Sequence, residues 1–518
     1  MRSSTILSGL ALNVFGATAN TIDTLWPIPA SISDAVTTAV PMESDVAITV
    51  KGGDESARLN AAIARYQTLI EGTAEAGAGI ATVELAVASD DESLTSSTDY
   101  SYALSVSGEG GDATIAISCQ SSYGCMYGLE TLAQLAESDG TVPSPLTIED
   151  APQYSHRGLM LDTGRRFIPM DSIKQNLDAM AATKMNVLHL HAADFCRFSI
   201  ESKVFPELTA NLTGVKGGFY TQDDVAEMVT YAADRGIRVY PEFDLPGHSL
   251  WADPLKERGL EFCADGENEV MKDTEAGREL LVQLFEEMAG LFDDELFSMG
   301  MDEVVNAGDC TLDDHKQLEE SLIAFVDTQL GLHPNGWEEY LFSTNAAEAS
   351  DRSVVTAWSA YRAADVVDAG YEAIESHNSF FYLNNFPTFI DSWADISENV
   401  TNLTKLRGGE VSMWTDNYCY ITQCGAFGTG SPVGAPLFPP EADTEFAASL
   451  AGMVWPGASV GAGAFYNYDA ELTEDELNAR INASADRFAA RGIDVCPVST
   501  DGGCSCDELS RCGTPYLQ

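Results

Sequence analysis

The spacing of apolar positions changes once along this chain, near Tyr154. Before it, Ala57 to Ile70 repeats its apolar residues at helical intervals, whereas Thr82 to Val87, Tyr100 to Ser107 and Ala113 to Ser118 alternate like half-buried strands. A helix over Ser122 to Glu137 follows and ends at Asp139-Gly140. Residues 20–152 are therefore expected to form a small α+β unit. After Tyr154 the pattern becomes strand, loop, helix, repeated. The expected strands are Gly158–Leu161, Asn186–His191, Arg238–Asp244, Leu296–Met301, Asn335–Leu341, Val354–Trp358, Phe380–Asn384 and Gly409–Trp414. Helices fall between most of them; the one over Thr221–Arg235 opens with a Thr221/Asp224 capping box and closes on Gly236. Eight such units over residues 153–495 predict an α/β fold, a (β/α)8 barrel of the TIM type preceded by the α+β domain. A doubly wound sheet fits less well, because no Gly-rich phosphate loop is present. The last helix, Thr473–Arg491, carries its own capping box with Glu476, and residues 496–518 form a Cys- and Gly-rich tail.

In such barrels chemistry is assembled at the C-terminal ends of the strands. Asp162, Asp194, Asp244, Asp302, Glu303, Glu338, Trp358, Asn384 and Trp414 all fall there. The stretch Glu295–Val305 runs an apolar segment straight into Asp302 and Glu303, so one acid can stabilise charge while the other moves protons. Trp337, Trp358 and Trp414 can wall a sugar ring, whose C–H faces pack on indoles. Arg157, just before the first strand, reads as a bidentate donor to hydroxyls. His248 follows Glu242 and Asp244 on a strand exit, where Asp244 can set its tautomer. His189 and His191 share a strand face and read as hydrogen-bonded structural groups rather than a metal pair. His-Glu-x-x-His, Gly-x-x-x-x-Gly-Lys and Gly-x-Ser-x-Gly are absent, and no metal or cofactor is expected.

Composition narrows the setting. Eighty Asp and Glu against 27 Lys and Arg leave a net charge of −53 over 518 residues, which opposes nucleic acid and anionic membranes as partners. No apolar run approaches the ~20 residues of a membrane span. Residues 1–19 have Arg2, an apolar Ile6 to Phe15 and Ala17-Thr-Ala19 before Asn20, the pattern of a secretory signal. Asn-x-Ser/Thr sites at Asn211, Asn399, Asn402 and Asn482, with 11 cysteines, suit a glycosylated, disulfide-forming compartment.

Five ordered motifs carry a resemblance: Ser155 to Arg166, Asn186 to His191, Pro241 to His248, Met301-Asp-Glu303, and Gly408-Gly-Glu410 with Trp414. They resemble family-20 β-N-acetylhexosaminidases, and Tyr123 to Gln134 is similar to that family's N-terminal domain. The resemblance implies substrate-assisted retaining hydrolysis, which needs no enzyme nucleophile. It implies Glu303 as acid and base, Asp302 as orienter of the 2-acetamido group, and Arg157 and Asp194 on ring hydroxyls. Trp337, Trp358 and Trp414 would line the pocket with Tyr382 donating to the acetamido oxygen, His248 and Asp416 would complete the binding set, and Cys263 and Cys310 would pair. The expected substrate is a β-linked N-acetylhexosamine glycan, met in secretion or in a lysosomal or vacuolar lumen; a homodimer is left open. Departures are Ser298 and Met301 in a usual His-x-Gly-Gly-Asp-Glu, Phe195-Cys196-Arg197 after Asp194, Asn384 for Asp, Asp416 for Glu, and Gly461–Phe465 in place of a late Gly-Glu-Arg-Leu-Trp. Two alternatives remain at this stage: a non-catalytic carbohydrate-binding relative, and a glycosidase using two separated carboxylates such as Glu303 and Glu410.

Overall fold

A computed structural model describes residues 21–496, apart from 34–37, 53–55, 71, 137–139, 196, 211, 213–217, 264–269, 305, 344–345, 385–388 and 416–449. The signal pattern, the Asn211 site, Asp416 and the tail from residue 497 lie outside the described residues. The first layer is a seven-stranded mixed sheet built from Ser31–Ile32, Thr38–Val50, Ile80–Val87, Tyr102–Ser107, Thr114–Cys119, Thr141–Ser144 and Leu146–Asp150. The helix Ser122–Ala136 is buried over its whole length, because one face packs on this sheet and the rest meets the barrel. Tyr127 Oη donates to the Lys184 carbonyl at 3.0 Å across that seam, and Gln134 holds both backbone groups of Trp26.

Eight parallel strands then close into a barrel: His156–Asp162, Val187–Asp194, Arg238–Leu245, Leu296–Gly300, His333–Trp337, Val354–Ala357, Glu372–Glu375 and Leu406–Met413. The eighth pairs with the first and the first with the second, leaving no open edge. The expected capping boxes at Thr221/Asp224 and Thr473/Glu476 are both formed.

The seventh strand departs from expectation. It is Glu372–Glu375; the aromatic run Phe380–Asn384 is a loop beyond it, joined to the sheet by a Tyr382–Ser412 bridge. The expected strand Asn335–Leu341 likewise stops at Trp337 and gives way to a short helix, Glu339–Phe342. Tyr382 joins the pocket aromatics, while Phe381 and Tyr340 are buried in the barrel's main core.

Candidate active site

At the end of the fourth strand the chain turns through three left-handed residues, Gly300 (φ +68°), Met301 (+63°) and Glu303 (+52°). A Cβ on Gly300 would stand 2.1 Å from Asp244 Oδ1, so a glycine is required there. The turn sends Asp302 inward, its side chain 10 % exposed, and leaves Glu303 at the mouth, 40 % exposed. His248 joins the two acids to Asp244: its Nδ1 lies 2.7 Å from Asp244 Oδ2 and 3.8 Å from Asp302 Oδ2, and its Nε2 lies 3.3 Å from Glu303 Oε2. Burial opposes a charge on His248, but Asp244 and Asp194 outweigh it and raise the imidazolium well above the ordinary histidine range. Its hydrogen bond in turn lowers Glu303, against the effect of burial. Burial and the Asp244 charge push Asp302 well up, and burial brings Asp244 to about 6 despite His248. Asp302 Oδ1 is buried with no hydrogen-bond partner among the described residues.

Aromatic walls stand over this pair. Trp337 and Trp414 have centroids 5.5 Å apart, Tyr382 lies 5.9 Å from Trp414, and Trp358 lies parallel to Tyr382 at 6.0 Å. Strands five, six and eight and the loop after strand seven thus supply one wall each. Asn384 lies on that same loop, its Oδ1 buried. Cys263 and Cys310 are bonded at 2.04 Å, tying together the loops after strands three and four.

Below the pocket a ladder of buried charge fills the barrel. Glu410 contacts His156 (3.2 Å) and His189 (2.8 Å); Glu242 contacts His189 (2.8 Å) and His191 (2.6 Å); Asp194 contacts His191 (2.8 Å). The histidine pair is therefore a set of carboxylate partners. Glu242 also accepts the Trp337 indole N–H at 3.1 Å and the Ser298 hydroxyl at 2.8 Å. Glu410, fully buried and also accepting from Tyr240 at 3.1 Å, belongs to this interior and cannot face Glu303 across a substrate.

Two expected roles are corrected by placement. Arg157 begins the first strand, so it lies at the opposite, N-terminal end of the barrel. Its guanidinium donates to the Lys184 and Tyr154 carbonyls and to Tyr127 Oη, among the rings of Tyr100, Tyr127 and Tyr466. The arginine at the pocket is Arg165, just past the strand's C-terminal end, which bridges Asp162 (3.0 Å) and Asp194 (2.9 Å) and lies 5.0 Å from the centroid of Trp414. Asp194 is fully buried, its oxygens taken by His191, Arg165 and the Phe195 N–H. Burial would raise it, yet Arg165 and the histidines hold it at about 2. Fully buried, it acts on the pocket through Arg165 and His191. The rule that barrel sites sit at C-terminal strand ends would have selected Arg165 from Asp162-Thr-Gly-Arg165.

A paired acid at the C-terminal mouth of a (β/α)8 barrel, under indole walls, is the site of a glycoside hydrolase. The chain belongs to glycosyl hydrolase family 20: the model of that family's catalytic domain matches residues 154–423, and a model described as beta-acetyl hexosaminidase like matches 68–135. Beta-hexosaminidase subunit A2 of Dictyostelium discoideum is 32% identical over 410 residues, covering 71% of this chain and 74% of that one. Beta-hexosaminidase subunit beta of Homo sapiens is 37% identical over 218 residues, 40% of this chain and 38% of that one. The chitobiase of Flavobacterium johnsoniae shares the fold with a TM-score of 0.73 at 24% identity, over 91% of this chain and 73% of that one. The β-N-acetylhexosaminidase of Streptomyces coelicolor does so at 0.71 and 21%, over 92% and 97%.

Proposed function

We propose that the protein is an exo-acting β-N-acetylhexosaminidase that removes terminal N-acetylglucosamine or N-acetylgalactosamine from glycans or chito-oligosaccharides, with retention and with the substrate's own acetamido group as nucleophile. The observation that carries this reading is Asp302 Oδ1, a buried acceptor without a partner beside a proton-bearing Glu303–His248 couple. The acetamido N–H supplies the missing donor, and an unsatisfied buried acceptor otherwise costs about 1–3 kcal/mol. As the acetamido oxygen bonds to the anomeric carbon, the bond to the leaving oxygen breaks and that oxygen takes a proton from Glu303. The proton stored on His248 sits next to Glu303 for this step. Positive charge growing on the cyclised acetamido group favours ionised Asp302. Glu303 then takes a proton from water as the water adds to the anomeric carbon and reopens the ring. Trp337, Trp358 and Trp414 enclose the sugar, Tyr382 donates to the acetamido oxygen, Arg165 serves the ring hydroxyls, and Asp416 is assigned the outer hydroxyls by resemblance. A lumenal or secreted location is supported by the N-terminal pattern, the Asn-x-Thr sites and the disulfides; among the described residues no helix is long and apolar enough to cross a membrane.

Both alternatives lose ground. Glu410 is interior, and the acid pair with its proton store is complete, as turnover needs and a lectin does not. The test is hydrolysis of aryl N-acetyl-β-glucosaminide and N-acetyl-β-galactosaminide beside the plain β-glucoside. Cleavage confined to the acetamido sugars, falling roughly 10²–10⁴-fold in Glu303→Gln and in Asp302→Asn, and potent inhibition by a thiazoline mimic are expected. Cleavage of the plain glucoside, or indifference to the thiazoline, would sink the assisted mechanism.

A further inference from the structure

Trp337 is followed by two carboxylates, and both are turned onto the loop after the sixth strand. Glu338 accepts the backbone N–H groups of Trp358 (2.8 Å), Ser359 (2.9 Å) and Ala360 (2.6 Å), so it builds that turn. Glu339 does something different. Its Oε2 accepts the indole N–H of Trp358 at 2.9 Å. Trp358 in turn lies parallel to Tyr382, which packs on Trp414.

We infer that Glu339 is a positioning residue for the reaction proposed above: its carboxylate aims the Trp358 wall of the pocket. The inference rests on that reading of the site. A purely architectural role would be served at least as well by an uncharged group. Burial pushes the Glu339 carboxyl up to about 7, and its charge adds to the raising of Asp302, so as a stability element it is unfavourable. What it offers is an acceptor that fixes the indole of Trp358 parallel to Tyr382.

The experiment is a double-mutant cycle with Glu339→Ala, Trp358→Phe and the two together, plus Glu339→Gln as the conservative variant. Each is assayed for KM and kcat on aryl N-acetyl-β-glucosaminide and for the Kd of a thiazoline mimic, with thermal unfolding as the folding control. Trp358→Phe keeps a ring but loses the N–H, and should raise KM and Kd about 10-fold with kcat nearly kept. Glu339→Ala should do the same, because the indole is no longer held. The double variant should match Glu339→Ala within about threefold, and Glu339→Gln, whose amide oxygen still accepts, should recover to within about threefold of wild type. Losses that multiply in the double variant, a Glu339→Gln as impaired as Glu339→Ala, or a change in unfolding temperature alone would each overturn the inference. A wild type that binds the thiazoline without turning over the glycoside would instead refute the proposed function, with the coupling still read from Kd.

Discussion

Two arginines in one strand and turn, Arg157 and Arg165, end at opposite mouths of the barrel and do opposite work. Around Arg157 the charged groups are answered. Its guanidinium has three acceptors, and nearby Asp150 is met by Lys184 (2.9 Å), Tyr102 (2.7 Å), Tyr466 (2.8 Å) and the Ala30 N–H (3.0 Å). Around Arg165 the sum is left incomplete: Asp302 keeps an oxygen without a partner, Asp244 is pushed to about 6, and Glu303 faces solvent. The closed end joins the N-terminal layer to the barrel, while the open end holds its deficits for a substrate to complete.

Exchanging the two arginines' losses is the hardest test of this contrast. Arg157→Met keeps bulk but strands the Lys184 and Tyr154 carbonyls in the interior, which should cost about 3–5 kcal/mol in denaturant unfolding while kcat/KM of the folded enzyme stays within about threefold. Arg165→Lys keeps a charge beside Asp162 and Asp194 but loses the planar fork. It should lower kcat/KM about 100-fold, with a much smaller change in stability. A large kinetic loss in Arg157→Met would return that residue to the sugar and break the comparison.

The buried ladder offers a second contrast, because it is as charged as the pocket but each of its carboxylates is met by a histidine. Burial would raise Glu410, yet His189 and His156 hold it at about 2; burial would lower His189, yet Glu410 and Glu242 lift it to about 9. A carboxyl depressed on folding contributes stability that is present above its unfolded value, near pH 4.5, and is lost as pH falls towards 2. A histidine raised on folding contributes stability present below about pH 6.5 and lost as pH rises through 9. The Glu410–His189 pair is therefore strongest between about pH 4.5 and 6.5, and its contribution to the unfolding temperature should peak there. Glu410→Gln should cost about 3 kcal/mol near pH 5.5 and flatten both limbs of that profile. An unchanged acid limb would show that the ladder does not carry the pH dependence.

The alternation of strands and helices, the acid pair and the three tryptophans were legible because each depends on local pattern: period, capping and strand end. What was not legible depends on contacts between distant residues. Phe380–Asn384 is more apolar than the true seventh strand, Glu372-Ala-Ile-Glu375, since Phe381 fills the core and Tyr382 the pocket wall from a loop, and local hydrophobicity cannot tell a buried loop from a strand. Arg157 stood out beside a motif, but which end of the barrel it faced followed only from where the strand begins. Asp194 looked available until His191, Arg165 and the Phe195 amide were found on its oxygens. Glu339 carried no signal distinct from its neighbour Glu338 until the indole of Trp358 was seen to bond to it.

The finest test lies at Met301, where a core side chain and an active-site turn meet in one residue. Its φ of +63° explains why a glycine suits this position, and its side chain, 1% exposed, packs in the barrel core. Met301→Gly removes the left-handed strain, of order 1–2 kcal/mol, but also removes a buried side chain with a transfer contribution of about 1.5–3 kcal/mol. Met301→Ala loses most of the same packing and keeps the strain. The smaller residue should therefore be the less damaging one: Met301→Gly is expected to be more stable than Met301→Ala by about 1 kcal/mol, read from urea midpoints at equal slope. In the reverse order, packing alone would govern the turn, and the catalytic pair would be held by the core beneath it rather than by its own backbone.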